Sequence, residues 1–485
     1  MKNHVTFLRD QEHLMTKHRL LIGIVIFCST FSISSLGQDS EPKGALTLTD
    51  ALELTLRQSP DLSTFEWDSR IAEARRLQAS YRPNPELSFE IEEIRLTDGP
   101  DSISTFGDDR EVEDGGSPGL SDAEYTLSIS QLVELGGKRL KRIRSAELEG
   151  DVFHREYEIA RADVLAETAI LFTMVLGAQD RLQLAEETLL LTTDIAKAIS
   201  ARVTAGQVSP IEEKRSDVQV SQARIAFERE QRTLDAARIL LAASWGSENP
   251  QFSHALGALD AVVPTKSANE LKAIVTNNPD LRFWTSELNR LDSLVVLEKA
   301  QRRPDLGVTV GYRARSLNSR STSNFDLGAN PQFIGNGRSG FSGSREDTFV
   351  LEFSVPLKIF NRNKGRIRES EYQVLKAGAM GRAAETRIRS QIDSIYESLK
   401  ASENEMAGLK TEVLPKATSA YNDINKGYIA GKFGYLEVLD AQRTLVDARV
   451  QYLNALVFFH QDRIILERLA GIDISAMPNA AGIAN

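Results

Sequence analysis

Glu437 and Asp440 stand three residues apart, so a helix would set both carboxylates on one face. Carboxylates gathered on one face attract cations. Glu212 holds the matching place in an earlier segment. There Ala205-Gly206-Gln207-Val208-Ser209-Pro210-Ile211-Glu212 runs parallel to Ala430-Gly431-Lys432-Phe433-Gly434-Tyr435-Leu436-Glu437. Each residue also has a plainer role. Glu212 and Glu437 fall at the third helical position, where a carboxylate caps a helix N-terminus. Asp440 has Arg443 within reach as a surface partner.

Other chemistry is excluded by what the chain lacks. It has no Gly-rich phosphate loop and no His-Glu-x-x-His. Gly136-Gly137-Lys138 does not have the spacing of a P-loop. Cys28 is the one cysteine, and the six histidines are scattered, so neither a disulfide framework nor a zinc module is expected. A net charge of −10 without a basic stripe argues against nucleic acid. The expectation is no enzyme, no cofactor and no resident metal.

The acidic residues sit at two sharp turns. At the first, Gly206 suits a left-handed C′ position, Ser209 an N-cap and Pro210 the first helical position, with Glu212 completing a capping box. At the second, Gly431 is the stop and Gly434 the N-cap. The turns Ala205–Pro210 and Ala430–Tyr435 are expected to be exposed. Each follows a long stretch with few Gly and almost no Pro, residues 139–205 and 366–430. About 67 helical residues would span about 100 Å. Small and apolar residues recur at spacings of three and four (Ile159, Ala162, Ala166, Ala169, Thr173, Leu176; later Val446, Val450, Leu453, Val457), which predicts coiled-coil packing. Pro415 predicts a kink. Shorter helices are expected over 46–82, with Thr49 as N-cap and an end before Pro83, and over 209–245.

Four segments alternate apolar and polar residues and predict strands: 87–92, 125–130, 306–312 and 349–355. Loops are expected between them, acidic over 97–120 and Ser/Asn/Gly/Arg-rich over 313–347. The elements recur with a period of about 225 residues. Ser59-Pro60-Asp61-Leu62 returns as Asn278-Pro279-Asp280-Leu281, and Arg82-Pro83-Asn84 as Arg303-Pro304-Asp305. Tyr125 onward returns from Phe349. This divides the chain into a first repeat, 38–245, a connector, 246–268, a second repeat, 269–471, and a tail, 472–485. Residues 1–37 have the basic, apolar and small-residue order of a signal peptide, with cleavage after Gly37 and Met15 as an alternative start. Lipidation at Cys28 is the less favoured processing, because Phe27 precedes it.

After residue 40 no apolar run reaches the ~18 residues of a membrane helix. The strands escape that test. Their apolar face has no spare amphipathic helix to cover it, and apolar-out, polar-in alternation is the pattern of an outer-membrane barrel. Four strands cannot close a barrel, and lipid does not tolerate open edges. Three copies would supply twelve strands and, with four helical columns each, a twelve-column tube.

On these residues the sequence resembles the TolC family of outer-membrane efflux proteins, over about residues 45–471. The most telling stretch runs from Gly427 to Arg443. Gln131-Leu132-Val133-Glu134-Leu135-Gly136-Gly137-Lys138-Arg139 and Pro356 to Gly365 resemble the heavy-metal branch, the CzcC and CusC type. The resemblance implies an α+β fold, an elongated α-barrel/β-barrel protomer with four transmembrane strands and long coiled-coil-like helices, closing as a homotrimer in the outer membrane of a Gram-negative bacterium. It implies the exit duct of a tripartite efflux pump, a passive conduit, with metal cations as cargo. The partners would be outer-membrane lipid, a periplasmic adaptor docking at Gly206, Ser209, Pro210, Gly431 and Gly434, and an inner-membrane RND transporter supplying the energy. Glu437, Asp440, Glu212 and Tyr428 would line or tether the closed pore entrance, the carboxylates becoming rings by threefold symmetry. Two other readings stand beside it: a type I secretion or multidrug duct served by an ABC or other transporter, and a periplasmic coiled-coil scaffold without a pore.

Overall fold

Alternation alone places four strands side by side in a computed structural model, which describes residues 43–92, 123–262, 265–320 and 341–474. The strands are β2 (Glu86–Glu92), β3 (Glu124–Val133), β5 (Leu306–Arg320) and β6 (Phe341–Ser354), in the order β2-β3-β5-β6 and antiparallel throughout. The register lines up whole rows. Leu87, Ile129, Val310 and Leu351 form one rung, and Phe89, Leu127, Tyr312 and Phe349 another. All eight side chains are exposed. Rungs on the opposite face are polar, such as Glu90, Thr126, Arg313 and Thr348. The second hairpin departs from expectation. Residues 313–320 and 341–348 continue the strands, paired from Arg313 with Thr348 to Arg320 with Phe341. A backbone ladder can extend through polar residues once its inner rungs have fixed the register. The expectations for the signal segment 1–37, Cys28, the loop 97–120 and the tail beyond residue 474 fall outside the described residues.

The helix expected over 46–82 is two helices, α1 (Leu48–Gln58) and α2 (Pro60–Ser80). Pro60 pushes Ser59 out of helical geometry, to φ −58° and ψ 123°. Thr47, not Thr49, is the first N-cap. Its hydroxyl accepts the Asp50 N–H, and the Asp50 carboxylate accepts the Thr47 N–H, both at 3.1 Å. That reciprocal pair satisfies two otherwise orphaned donors, which Thr49 could not do. Residues 268–301 are built alike, with α5 (Ala268–Ile274), a 3₁₀ turn (Val275–Asn277) and α6 (Pro279–Gln301), whose N-cap is Asn278.

After each hairpin a left-handed residue directly before the helix, Gly137 (φ 68°, preceded by Gly136 at φ 76°) or Asn363 (φ 57°), turns the chain into a long column. The first column is α3 (Lys138–Thr204), of 67 residues. The second is α7 (Lys364–Gly408), a π turn (Leu409–Val413) and α8 (Leu414–Ile429). Where a kink was expected at Pro415, the column carries this π turn just before it. Pro415 has no N–H for the Thr411 carbonyl. Widening the preceding turn, with Leu414 N–H reaching the Leu409 carbonyl, keeps the column continuous. Two further helices return from the far turns, α4 (Pro210–Ala243) and α9 (Tyr435–Ala470).

Below the sheet α2 packs on α3, α3 on α6 and α6 on α7, the same order as the strands. The junction is pinned by charge. Arg139 and Arg142 donate to the carbonyls of Ser80 and Ala79, at 2.6 and 3.0 Å, closing the end of α2. Arg142 also grips both Glu134 oxygens. Midway along the columns lies the main core, where Phe172, Leu176, Ile392, Leu399, Leu456 and Phe459 meet. A two-residue parallel ladder, β1 (Ala45–Leu46) with β4 (His254–Ala255), wraps it together with α1 and α5. Burying each such side chain contributes about 1.5–3 kcal/mol. The spacing read from the sequence holds here, since Ala166, Ala169, Thr173 and Leu176 are buried. His460 donates from Nε2 to the Leu259 carbonyl at 2.8 Å within this core. Burial holds its pKa below the usual histidine range, so it belongs to the core as a neutral ring.

Candidate functional site: the helical tips

At both far turns the chain reverses through the same hydrogen-bond pattern. In the first, Gly206 (φ 72°) gives its N–H to Val203 O at 2.9 Å and Gln207 N–H reaches Arg202 O at 2.8 Å. In the second, Gly431 (φ 74°) bonds Tyr428 O at 3.0 Å and Lys432 bonds Gly427 O at 2.8 Å. This is the Schellman closure, which needs glycine at the left-handed position. Gly206, Ser209, Pro210, Gly431 and Gly434 are all exposed.

The N-caps differ from expectation. The Ser209 hydroxyl accepts the Ile211 N–H at 3.4 Å, and Glu212 N–H goes to the Ser209 carbonyl instead. The expected capping box is therefore absent, because the Glu212 carboxylate turns inward, where its Oε2 is buried. At the second turn Gly434 offers no side chain. The Glu437 carboxylate folds over it, so close that a Cβ at Gly434 would lie 2.9 Å from Oε2. Glu437 and Asp440 are exposed at the very tip. Asp440 forms no ion pair with Arg443 among the described residues.

Behind the carboxylates lies a buried aromatic cluster. Tyr421, Tyr428 and Tyr435 pack with Ile199, Val438 and Leu445, joining the two turns. Tyr435 was expected on the exposed turn but is 2% exposed. The reason is its ring, which lies 6.2 Å from that of Tyr428. Arg202 covers the other side of Tyr428 at 4.8 Å. Phe433 folds back onto Gly427, where a side chain would collide with its ring. Sequence reading missed Tyr421, Tyr435, Arg202 and Phe433. The spacing of the three tyrosines, seven residues apart, was the available signal.

Burial pushes the Tyr435 hydroxyl up to about 12, reinforced by Tyr428 and Glu212. Burial raises Tyr428 and Tyr421 as well. A raised folded pKa means that stability is complete below the unfolded value, about 10, and is lost as the pH climbs through 12. Between pH 10 and 12 the tip therefore loosens before the rest of the molecule. Tyrosinate absorbance followed alongside far-ultraviolet dichroism checks this, and Tyr435→Phe removes that residue's part of the titration.

The sequence profile of the family described as "Outer membrane efflux protein" matches residues 51–247 and 271–472. The chain belongs to that family. This efflux protein is 31% identical to the cobalt-zinc-cadmium resistance protein CzcC of Cupriavidus metallidurans, over 89% of its own length and 91% of that protein. It is 24% identical to the nickel-cobalt-cadmium resistance protein NccC of Alcaligenes xylosoxydans xylosoxydans, over 54% of each chain. Among solved structures, CusC superposes with a TM-score of 0.68 at 16% identity, covering 90% of this chain and 96% of that one. The open-state MtrE channel of Neisseria gonorrhoeae superposes with a TM-score of 0.63 at 15% identity, over 88% and 89%. The efflux protein thus has the α-barrel/β-barrel fold of outer-membrane channels, and its place is the outer membrane with helices reaching into the periplasm.

Proposed function

We propose that three copies of this chain close into one duct, the outer-membrane exit of a tripartite efflux pump that exports metal cations. The observation that carries this is the sheet. One face is apolar and exposed, the other polar, and among the described residues β2 and β6 are unpaired edges that lipid would not tolerate. The helical columns below repeat the order of the strands, so closing one ring closes the other. The names of CzcC and NccC support metal cations as cargo. A periplasmic adaptor would meet the exposed turns at Gly206, Ser209, Pro210, Gly431 and Gly434, and an RND transporter would supply the energy. Residues 1–37 would direct export, and the two repeats, 38–245 and 269–471, would each furnish half of the protomer. Purified protein should run as a heat-modifiable trimer and conduct ions across a planar bilayer. A non-conducting monomer would refute the duct.

Glu437 and Asp440 form the entrance in this reading, backed by Glu212, and Tyr428 holds the closed tips together. Rings of carboxylate favour cations most where screening is weak. The pair Glu437→Gln and Asp440→Asn should lower the ratio of cation to anion permeability towards one. The change should be large near 0.01 M salt, where the Debye length is about 30 Å, and vanish near 1 M, where it is about 3 Å. Reversal potentials measured at both salt levels check this, and an unaltered ratio at low salt removes the gate.

A further inference from the structure

Inside the chain one seam joins the two repeats, with β3 against β5 and α3 against α6. The outer edges are β2 with α2 on one side and β6 with α7 on the other. These are the same elements taken from the opposite repeats. The sequence correspondence fixes the equivalences. Pro83 matches Pro304, which sets Leu87 with Val308, and Tyr125 matches Phe349, which sets Ile129 with Phe353. The two hairpins agree independently, since Leu87 pairs with Ile129 and Val308 with Phe353.

The internal seam pairs Leu127 with Tyr312, Ile129 with Val310 and Gln131 with Val308. Carried across by these equivalences, Leu351 falls opposite Ile91, Phe353 opposite Phe89 and Val355 opposite Leu87. All six side chains are exposed in the single chain. At the junction, Asp305 accepts from Lys138 Nζ at 2.6 Å and from Leu135 N–H at 3.0 Å. Their equivalents are Asn84 and Lys364, each long helix starting with a lysine after its left-handed residue. Lys138 is 2% exposed, whereas Lys364 and Asn84 are both exposed and bond nothing among the described residues. Below them both outer columns carry apolar residues without cover, Trp67, Ile71 and Leu77 on α2 and Tyr372, Leu375 and Met380 on α7.

We infer that the seam between copies repeats the internal seam, with β6 of one copy pairing β2 of the next in the register Phe353 to Phe89 and Lys364 meeting Asn84 of that neighbouring copy. This rests on ring closure and adds the residues that make it. The internal seam carries an ion pair where the seam between copies carries an amide, so the closure between copies is the weaker of the two.

The test uses the full chain with Cys28→Ser as background. Phe89→Cys with Phe353→Cys, oxidised or treated with a short bifunctional thiol reagent in outer membranes, should give a covalent trimer on denaturing gels. Directly opposed residues lie about 4.5–5.5 Å apart, and diagonal ones about 7–8 Å. Phe89→Cys with Leu351→Cys, or with Val355→Cys, should therefore cross-link several-fold less. A shifted pair that cross-links best, in a protein still trimeric by native mass spectrometry, overturns the register and leaves the ring standing. A monomer by native mass spectrometry, with no pair cross-linking, overturns the ring itself. Separately, Asn84→Asp would recreate the Lys138–Asp305 ion pair between copies. It should raise the temperature at which the trimer dissociates in detergent, and an unchanged or lowered temperature overturns the Lys364 contact.

Discussion

Replacing Asp305 by alanine lowers the unfolding free energy by about 3–5 kcal/mol, the usual cost of leaving one member of a buried ion pair alone. Its partner Lys138 has a side chain only 3% exposed, while that of Asp305 is 21% exposed. The ammonium, almost cut off from solvent, would lose its counter-charge. The Leu135 N–H, 3.0 Å from Asp305 Oδ1, loses its acceptor in the same step. Asp305→Asn keeps one carbonyl oxygen, an acceptor for one of the two donors only, and should cost less than the alanine change. The pair also predicts behaviour in acid. Burial pushes the Asp305 carboxyl up, but the Lys138 and Leu135 hydrogen bonds together outweigh it and hold the pKa below the usual range. A lowered folded pKa gives stability that is complete above the ordinary value of about 3.9 and drains away as the pH falls below it. Denaturant midpoints of the wild type and both variants, measured near pH 7 and again below pH 4, check the size and the sign. The gap between wild type and Asp305→Ala should narrow in acid.

Gly471→Ala is expected to cost about 2–5 kcal/mol, from left-handed strain of about 1–2 and overpacking of about 1–3. Gly471 ends α9 at φ 74°, and a Cβ there would lie 2.6 Å from the carbonyl carbon of Asn277 and from the nitrogen of Asn278. Those are backbone atoms and cannot swing aside as a side chain would. Asn278 caps α6 through its Oδ1, 2.7 Å from the Asp280 N–H, and donates from Nδ2 to Leu469 O at 2.8 Å. A shifted backbone breaks the tie between the end of α9 and the start of α6. Gly206→Ala supplies the contrast. It shares the left-handed geometry, at φ 72°, but nothing lies within 4 Å of the added carbon. It should show the strain alone, so the difference between the two midpoints isolates the collision. Equal losses would remove that account of Gly471.

The two mutations divide between sequence and fold in opposite ways. Gly206 and Gly431 were legible as helix stops because each stands between a long periodic run and a new N-cap, a local pattern. Gly471 also ends a helix, but its cost comes from Asn277, nearly two hundred residues away in the chain. The strands were legible because alternation has a period of two. Their ends over 313–320 and 341–348 were not, since polar residues join a ladder only when a neighbouring strand already holds the register. Thr47 outcompeted Thr49 as N-cap because Asp50 answers it, a local cue that was overlooked. At the tip, Glu437 and Asp440, singled out from their spacing, are exposed at the start of α9. Glu212 was found too, but given a capping role that the fold withholds by turning it towards the tyrosines.

By itself the sequence determined the kind of molecule: four strands with one apolar face, two long columns and two sharp tips. Those features follow from periodicity and from glycine and proline, which act on the nearest few residues. The tertiary structure decided which residues meet: the Lys138–Asp305 pair, the buried tyrosines under the tips, and the row of rungs that leaves β2 and β6 as matched open edges. These meetings bring together residues far apart in the chain, and only packing chooses among the many partners that charge and hydrophobicity alone would allow.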